Sequence, residues 1–402
     1  MLHHQHPCSP VRHGGDDFPF SWHRSRALER EQQLAARLFF RRRPVLQTNI
    51  SVPVTINRPL YGFVAQVTLG TPATTQTMLI DSAATYSWVQ CVACAGSESG
   101  CFRQDDPLFN PGASTTYRGL PCSSQYCLSA TGNPDAPTHC ALQDDTCIYA
   151  IDYLDESSSV GRVGTDKLTF GQETFPGFIF GCSQGYYGKF GRYSGILSFG
   201  PAKMSFFSQV VERTRQYRAI SFYLPSSSSV GYIQVGAYDE DGLAFTPMFT
   251  NGTDYYLALT AITIDGDMPS WRFSPNTAVA IAACYVDLGA TLSLLPRQLF
   301  EELNDAVADR IKGYNRIRSY PGCFEPAYLS TERVIPVVQL QFSHGARLVL
   351  DEHKLMSRDP DGRLCLGFLP RDFCIIGSMQ MQMTYAALDV EKSRMGFSSS
   401  YY

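Results

Sequence analysis

Two aspartates stand in matching surroundings about half a chain apart. Asp81 closes the apolar run Met-Leu-Ile at 78–80, and Asp287 closes Cys-Tyr-Val at 284–286. Small residues follow each, Ser-Ala-Ala-Thr at 82–85 and Leu-Gly-Ala-Thr at 288–291. Then come Ser-Trp-Val at 87–89 and Ser-Leu-Leu at 293–295. A carboxylate at the end of an apolar strand is costly to bury unless another group shares its charge. The matching contexts make each aspartate a partner for the other. Two carboxyls held close together cannot both ionise, because the like charge raises one pKa strongly. Such a pair shares one proton and titrates as a unit. Its ionised member can take a proton from water while its protonated member hydrogen-bonds a carbonyl. Hydrolysis of an amide by activated water needs those two roles.

Holding such a pair requires rigid elements, and the sequence supplies mostly strands. From residue 60 onward, runs rich in Val, Ile, Tyr, Phe and Thr alternate with Gly, Pro, Asn and Asp breaks. Strands are predicted at 61–69, 77–81, 147–153, 178–180, 231–235, 255–264, 334–342 and 385–388. Helical spacing is clear only over 297–311, through Leu299, Phe300, Leu303, Val307 and Ile311, with a shorter helix at 204–212. The fold class is therefore mostly β. Each aspartate turn is also followed later by paired hydrophobics beside a glycine, Gly-Ile-Leu-Ser at 195–198 and Ile-Ile-Gly at 375–377. A duplicated β lobe gives this order. Polar stretches at 226–230 and 249–254 place the lobe boundary between 235 and 254. The resulting division is a leader at 1–58, an N-terminal β lobe at 59–240 and a C-terminal β lobe at 254–402.

Bulk properties narrow the function. With 402 residues, 44% hydrophobic and 17% charged, the chain has material for two cores. A net charge of −4 gives no reason to expect nucleic acid or an anionic membrane as partner. No apolar run reaches the length of a membrane span. Seven of the 13 cysteines (91, 94, 101, 122, 127, 140 and 147) fall within the stretch 91–147. Zinc would call for a second Cys-x-x-Cys, and His139 is the only nearby histidine. The stretch reads instead as a disulfide-stapled insertion made in an oxidising compartment, with no metal and no cofactor. The odd total leaves one cysteine over, and connectivity stays open.

Residues 1–58 hold five of the eight histidines, an arginine run at 41–43 and an amphipathic stretch at 28–40. A His-rich start suits metal, but a solvated leader explains the composition more simply. The opening Met-Leu-His-His lacks the apolar core of a secretory signal. Asn49-Ile-Ser and Asn251-Gly-Thr are glycosylation sequons.

These residues together resemble the pepsin-type aspartic proteases, and within them the cysteine-rich plant branch that includes nepenthesin. Asp-Ser-Ala-Ala-Thr-Tyr-Ser-Trp-Val-Gln-Cys at 81–91 is similar to that branch's first active-site loop, usually Asp-Thr-Gly-Ser followed by Trp-Val-Gln-Cys. Asp-Leu-Gly-Ala-Thr-Leu at 287–292 is similar to the second, usually Asp-Ser-Gly-Thr-Thr-Leu. Ile-Ile-Gly-Ser at 375–378 and Met-Gly-Phe at 395–397 resemble the C-terminal signature. Pro-Cys-Ser-Pro-Val at 7–11 resembles the branch's propeptides. The resemblance implies a bilobal pepsin-like fold, two pseudo-symmetric β lobes around a substrate cleft. It implies Asp81 and Asp287 as catalytic pair, Ser82 and Gly289 as loop supports, and Tyr153 on a flap. The implied protein is a monomer, secreted or vacuolar, acting on a polypeptide in extended conformation.

The chain departs from that pattern around the pair. Ala83 replaces a glycine of the first loop, whereas Gly289 is kept in the second. Ser82 keeps the hydroxyl that links the loops and Leu288 lacks it; Ala84 and Ala290 lack the hydroxyl that bonds the outer carboxylate oxygen. Each lost hydrogen bond to a charged group costs about 1.5–3 kcal/mol. The flap's Gly-Asp-Gly has become Leu154, Asp155 and Glu156, a glycine has become Ser198, and Tyr223 stands where a cysteine is usual. That last change is expected to leave Cys182 unpaired. Two functional readings follow: an aspartic endopeptidase of reduced activity, or an inactive pepsin-fold binding protein resembling a xylanase inhibitor. Gly-Cys-Ser-Gln-Gly at 181–185 fits a serine-hydrolase elbow, but no helical run follows it, and His344 and His353 lack a hydrolase context.

Overall fold

The computed structural model describes residues 49–398, apart from 58–61, 129–137, 142–143, 215–217, 227–228, 268–280, 328–331 and 360. The stretch predicted as an amphipathic helix at 28–40, the His-rich start and Cys8 lie outside the described residues.

The same strand arrangement is built twice. In the N-terminal half, Thr74–Asp81 pairs antiparallel with Gly62–Leu69 and parallel with Gly195–Ser198, which sets Asp81 opposite Ser198. Gly195–Ser198 also meets Trp88–Gln90, the strand that follows the first aspartate loop. In the C-terminal half, Ala282–Asp287 pairs antiparallel with Tyr255–Ile264 and parallel with Cys374–Gly377, which sets Asp287 opposite Gly377. Leu294, in the strand that follows the second loop, meets Ile375. Parallel strands covered on both faces read as unbroken apolar runs. That accounts for Met-Leu-Ile before Asp81 and Tyr-Val before Asp287.

A shared sheet joins the halves. Ala219–Tyr223 pairs with Gly231–Gly236 on one side and with Tyr385–Asp389 on the other. Arg394–Ser398 continues the sheet and pairs with Leu243–Thr250. Asn49–Asn57 also belongs to it, in register with Gly231–Gly236 and with Gly62–Leu69. The segment assigned to the leader at 1–58 therefore ends in a strand of the folded body. Ile50, Val52 and Val54 point inward, and Ile56 packs against the core, so a period-two signal was present.

The two predicted helices are Phe206–Thr214 and Arg297–Ala308, each with its apolar stripe buried. Phe206 packs among Phe170, Phe178 and Phe199, with ring centroids 4.7 to 6.0 Å away. The strand predicted over 334–342 is confined to Val338–Phe342. Pro336 supplies no amide hydrogen to a ladder, which fits its place ahead of that strand.

Six disulfides join twelve cysteines: Cys91–Cys182, Cys94–Cys101, Cys122–Cys140, Cys127–Cys147, Cys284–Cys374 and Cys323–Cys365. The expectation that Cys182 is unpaired is corrected. The parallel register of Trp88–Gln90 with residues 181–183 brings Cys91 alongside Cys182, and the pair closes without a cysteine at 223. Gln90 then anchors the insertion. Its side chain accepts from Phe102 N at 2.7 Å and donates to Phe102 O at 2.9 Å. Among the described residues no helix is long and apolar enough to cross a membrane.

A peptide map of the unreduced protein is expected to contain the Cys91–Cys182 cross-link; an alkylated Cys182 would contradict the pairing. Replacing both cysteines by alanine is expected to lower unfolding stability by about 2–4 kcal/mol, read from the denaturant midpoint.

Candidate active site

The two aspartate loops meet at the junction of the halves. Asp81 and Asp287 are each 6% exposed. Oδ1 of Asp81 accepts from Ala83 N at 2.8 Å and Ala84 N at 2.7 Å. Oδ1 of Asp287 accepts from Gly289 N at 2.8 Å and Ala290 N at 3.0 Å. Four backbone donors thus hold the two carboxyls in matching fashion, and no hydrogen bond from the described residues reaches either Oδ2. Ala84 and Ala290 offer no side-chain hydroxyl to either carboxyl.

Gly289 explains how closely the loops approach. A Cβ there would lie 2.6 Å from both Cγ and Oδ2 of Asp81, and 3.2 Å from Oδ1 of Asp287. Any side chain would be driven into the carboxyl pair, so the second loop requires glycine. Ser82 ties the loops across the halves. Its Oγ donates to Val286 O at 2.8 Å and accepts from Leu288 N at 3.0 Å. Leu288 returns no such bond and is buried in the apolar core instead. The cross-link is one-sided.

Burial shifts both acids. Desolvation, followed by the charge of Asp287, pushes Asp81 from 3.8 up to about 7, while the amides of Ala83 and Ala84 oppose the shift. Asp287 is also raised by burial, against its own two amides. The protonated form of the pair therefore persists well above the usual carboxylate range.

Tyr153 follows the strand Thr146–Asp152 in a turn leading to Ser158–Phe170. Its Oη accepts from Trp88 Nε1 at 2.6 Å, and its ring meets Phe190 edge-on at 6.4 Å. The Asp81 charge is among the influences raising its hydroxyl pKa, after burial, so it stands on the Asp81 side of the site. At the tip of the turn Leu154 is 55% exposed, while Asp155 is buried with Oδ1 accepting from Ser157 N at 3.0 Å. Glu156 adopts φ 67°, a left-handed backbone that glycine takes without steric cost. The Gly-to-Glu departure is therefore paid for in backbone strain at this turn.

The structure brings Asp81, Asp287, Ser82 and Gly289 together and sets Tyr153 beside them through Trp88. Neither sequon joins this group. Asn251 lies in an exposed turn, its Oδ1 accepting from Thr253 N and Asp254 N, both at 2.9 Å, and Asn49 opens the first described strand opposite Gly236. Ser183 is buried inside the strand Glu173–Tyr187, hydrogen-bonded to Ser159 and Gly185, so it forms no strand-to-helix elbow. Sequence reasoning passed over the serines beneath the loops. Ser87 Oγ accepts from Ser198 N, and Ser293 Oγ accepts from Gly377 N, both at 2.9 Å. Their signal was the matched serine six residues after each aspartate.

Two family models match, described as xylanase inhibitor N-terminal over residues 63–237 and xylanase inhibitor C-terminal over 254–399. An aspartyl protease family protein of Arabidopsis thaliana is 31% identical over 352 residues, which cover 83% of this chain and 71% of that protein. The aspartic proteinase nepenthesin-2 of Nepenthes gracilis is 27% identical over 359 residues, 85% of this chain and 79% of that protein. Among solved structures, soybean basic 7S globulin superposes with a TM-score of 0.67 at 21% identity, covering 88% of this chain and 97% of that one. Lupine conglutin gamma superposes with a TM-score of 0.67 at 19% identity, covering 88% and 96%. The mostly β, two-lobed fold expected above is borne out.

The raised pKa has a thermodynamic consequence. Because Asp81 stands above its unfolded value of 3.8, folding takes up a proton between that pH and about 7. Its contribution to stability is full below pH 3.8 and is lost as the pH rises through 7. Asp81→Asn suffers no such loss, so its Tm relative to the parent is expected to climb from pH 4 and level off above pH 7. A Tm difference that stays constant over that range would contradict the shift.

Proposed function

The chain belongs to the pepsin-type aspartyl protease family and carries its bilobal β fold, and we propose that it is an aspartic endopeptidase of reduced turnover. The observation that carries this reading is the buried pair itself, with Oδ1 of each aspartate held by two amides and Ser82 bridging the loops. Two acids whose burial raises both pKa values are costly to keep and suit a site that holds and moves a proton.

In this reading a polypeptide lies extended between the Tyr153 turn and the pair, held mainly by backbone hydrogen bonds. The ionised aspartate takes a proton from water as the water oxygen attacks the scissile carbonyl carbon. The protonated aspartate hydrogen-bonds the carbonyl oxygen and stabilises its developing charge. Collapse of the tetrahedral adduct breaks the C–N bond, and the departing amine receives a proton from the pair. Ser82 and Gly289 keep the loops close enough for one proton to serve both carboxyls. No cofactor, metal, nucleic acid or membrane enters, and the chain works as a monomer. Six disulfides suit an oxidising compartment, so we place the protein in the secretory route, outside the cell or in the vacuole. There, Asn251 in its exposed turn and Asn49 are the residues to carry glycans.

Reduced turnover follows from the missing hydroxyls at Ala84 and Ala290. Two lost bonds to charge, about 1.5–3 kcal/mol each, correspond to a slowing of roughly 10²–10⁴-fold if felt fully in the transition state. The same losses, together with the xylanase-inhibitor family models, favour a second reading: an inactive pepsin-fold protein that acts by binding.

Purified protein freed of its N-terminal segment is expected to cleave casein or haemoglobin between pH 3 and 6. Activity should fall as the pH rises through 7, where the pair loses its last proton. Pepstatin should inhibit it, and Asp81→Asn or Asp287→Asn should abolish it. Correctly folded protein with no pepstatin-sensitive cleavage would decide for the binding reading. Combining Ala83→Gly, Ala84→Ser, Leu288→Ser and Ala290→Thr is expected to raise kcat at least tenfold, measured on the same substrates.

A further inference from the structure

Besides Ser82 and Leu288, the two halves differ at a further buried position next to the pair. The parallel registers set Ser198 opposite Asp81 and Gly377 opposite Asp287, so the two residues occupy equivalent places. Their backbones are held alike, each amide donating at 2.9 Å to the hydroxyl of the serine six residues past the aspartate, Ser87 or Ser293. At Gly377 a Cβ would lie 2.6 Å from Leu292 O and 3.0 Å from Ala290 O. In the C-terminal half those carbonyls leave no room for a side chain. At the matching place the N-terminal half accommodates a fully buried hydroxyl.

That hydroxyl is used. Ser198 Oγ donates to Ala84 O. The matching carbonyl of the second loop, Ala290 O, is held from another place, by Ser378 N at 2.8 Å and Ser378 Oγ at 2.9 Å. Both aspartate loops therefore end at a carbonyl gripped by a serine hydroxyl. In the first loop the grip has particular consequence, because Ala84 N is the shorter of the two amide contacts to Asp81 Oδ1. Ala84 has no hydroxyl of its own to offer the carboxyl. Nearby backbone also closes on this corner: Phe199 N donates to Asp81 O at 2.6 Å, and a Cβ at Gly200 would sit 2.5 Å from Ala84 O.

We propose that Ser198 is a positioning residue, a hydroxyl supplied from the neighbouring strand that fixes Ala84 and through its amide the Asp81 carboxyl. Its effect on turnover rests on the protease reading; its effect on Asp81 does not. If Ser198 were only a misplaced side chain in a glycine's space, restoring glycine would relieve crowding and improve the site. If it positions the loop, restoring glycine loosens the amide that favours the ionised carboxyl.

The test is the pH titration of the pair, followed by ¹³C NMR of aspartate carboxyls in the full chain, for parent, Ser198→Gly and Ser198→Ala. Gly is the residue of the equivalent position in the other half, so that variant is expected to fold. The upper titration midpoint should rise by about half a unit to one unit in both variants, since part of a hydrogen bond to charge is lost. In an active parent, kcat should fall about three- to tenfold with little change in KM. An unmoved midpoint in either folded variant, or a kcat above the parent's in Ser198→Gly, would overturn the proposal. A midpoint that rises in a chain showing no proteolysis would uphold Ser198 as a positioning residue and reject the protease reading alone.

Discussion

Two carboxyl groups buried at close approach impose a condition that the rest of the chain must meet: they cannot both be charged, and neither can be left without donors. Each receives two backbone amides at Oδ1, and the pair retains a proton to well above the ordinary carboxylate range. Keeping them together requires that the two strands carrying them end at the same place in two different halves. The doubled strand arrangement provides those ends, and the shared sheet fixes the halves to each other. The hydroxyl of Ser82 then spans the junction.

The halves meet this condition differently. The C-terminal loop keeps Gly289, whose missing Cβ leaves room for the carboxyls, and Gly377 beneath it. The N-terminal loop keeps the bridging hydroxyl and adds Ser198. Leu288, facing the core, contributes apolar burial worth about 1.5–3 kcal/mol where a hydroxyl would have contributed a bond across the junction. Stability gained at that position is geometry lost at the site. An enzyme with a loosened frame, or a binding protein that retains its ancestor's buried acids, can arise from that exchange, and the proton held by the pair favours the first.

Much of this was legible in the residues. Asp81 and Asp287 declared themselves through repeated context, and long periodic elements such as 297–311 and 255–264 were readable from spacing. What escaped had physical reasons. Asn49–Asn57 alternates correctly but adjoins a basic, histidine-rich stretch whose composition dominated the reading. Cys182 was expected to be free because its usual partner position holds Tyr223, yet strand register, which spacing alone does not reveal, places Cys91 beside it. Ser198 read as the loss of a glycine; only the register that sets it against Asp81 shows its hydroxyl reaching Ala84. Tyr153 was placed by position alone, and its hydrogen bond to Trp88 lies 65 residues away in sequence.

If Asp81 and Asp287 form one proton-sharing unit, neutron diffraction from crystals grown near pH 5 will show it. A single deuteron is expected between the two carboxyls, with deuterated amides of residues 83, 84, 289 and 290 directed at the Oδ1 atoms. Two fully protonated carboxyls, or two bare carboxylates turned apart, would contradict it.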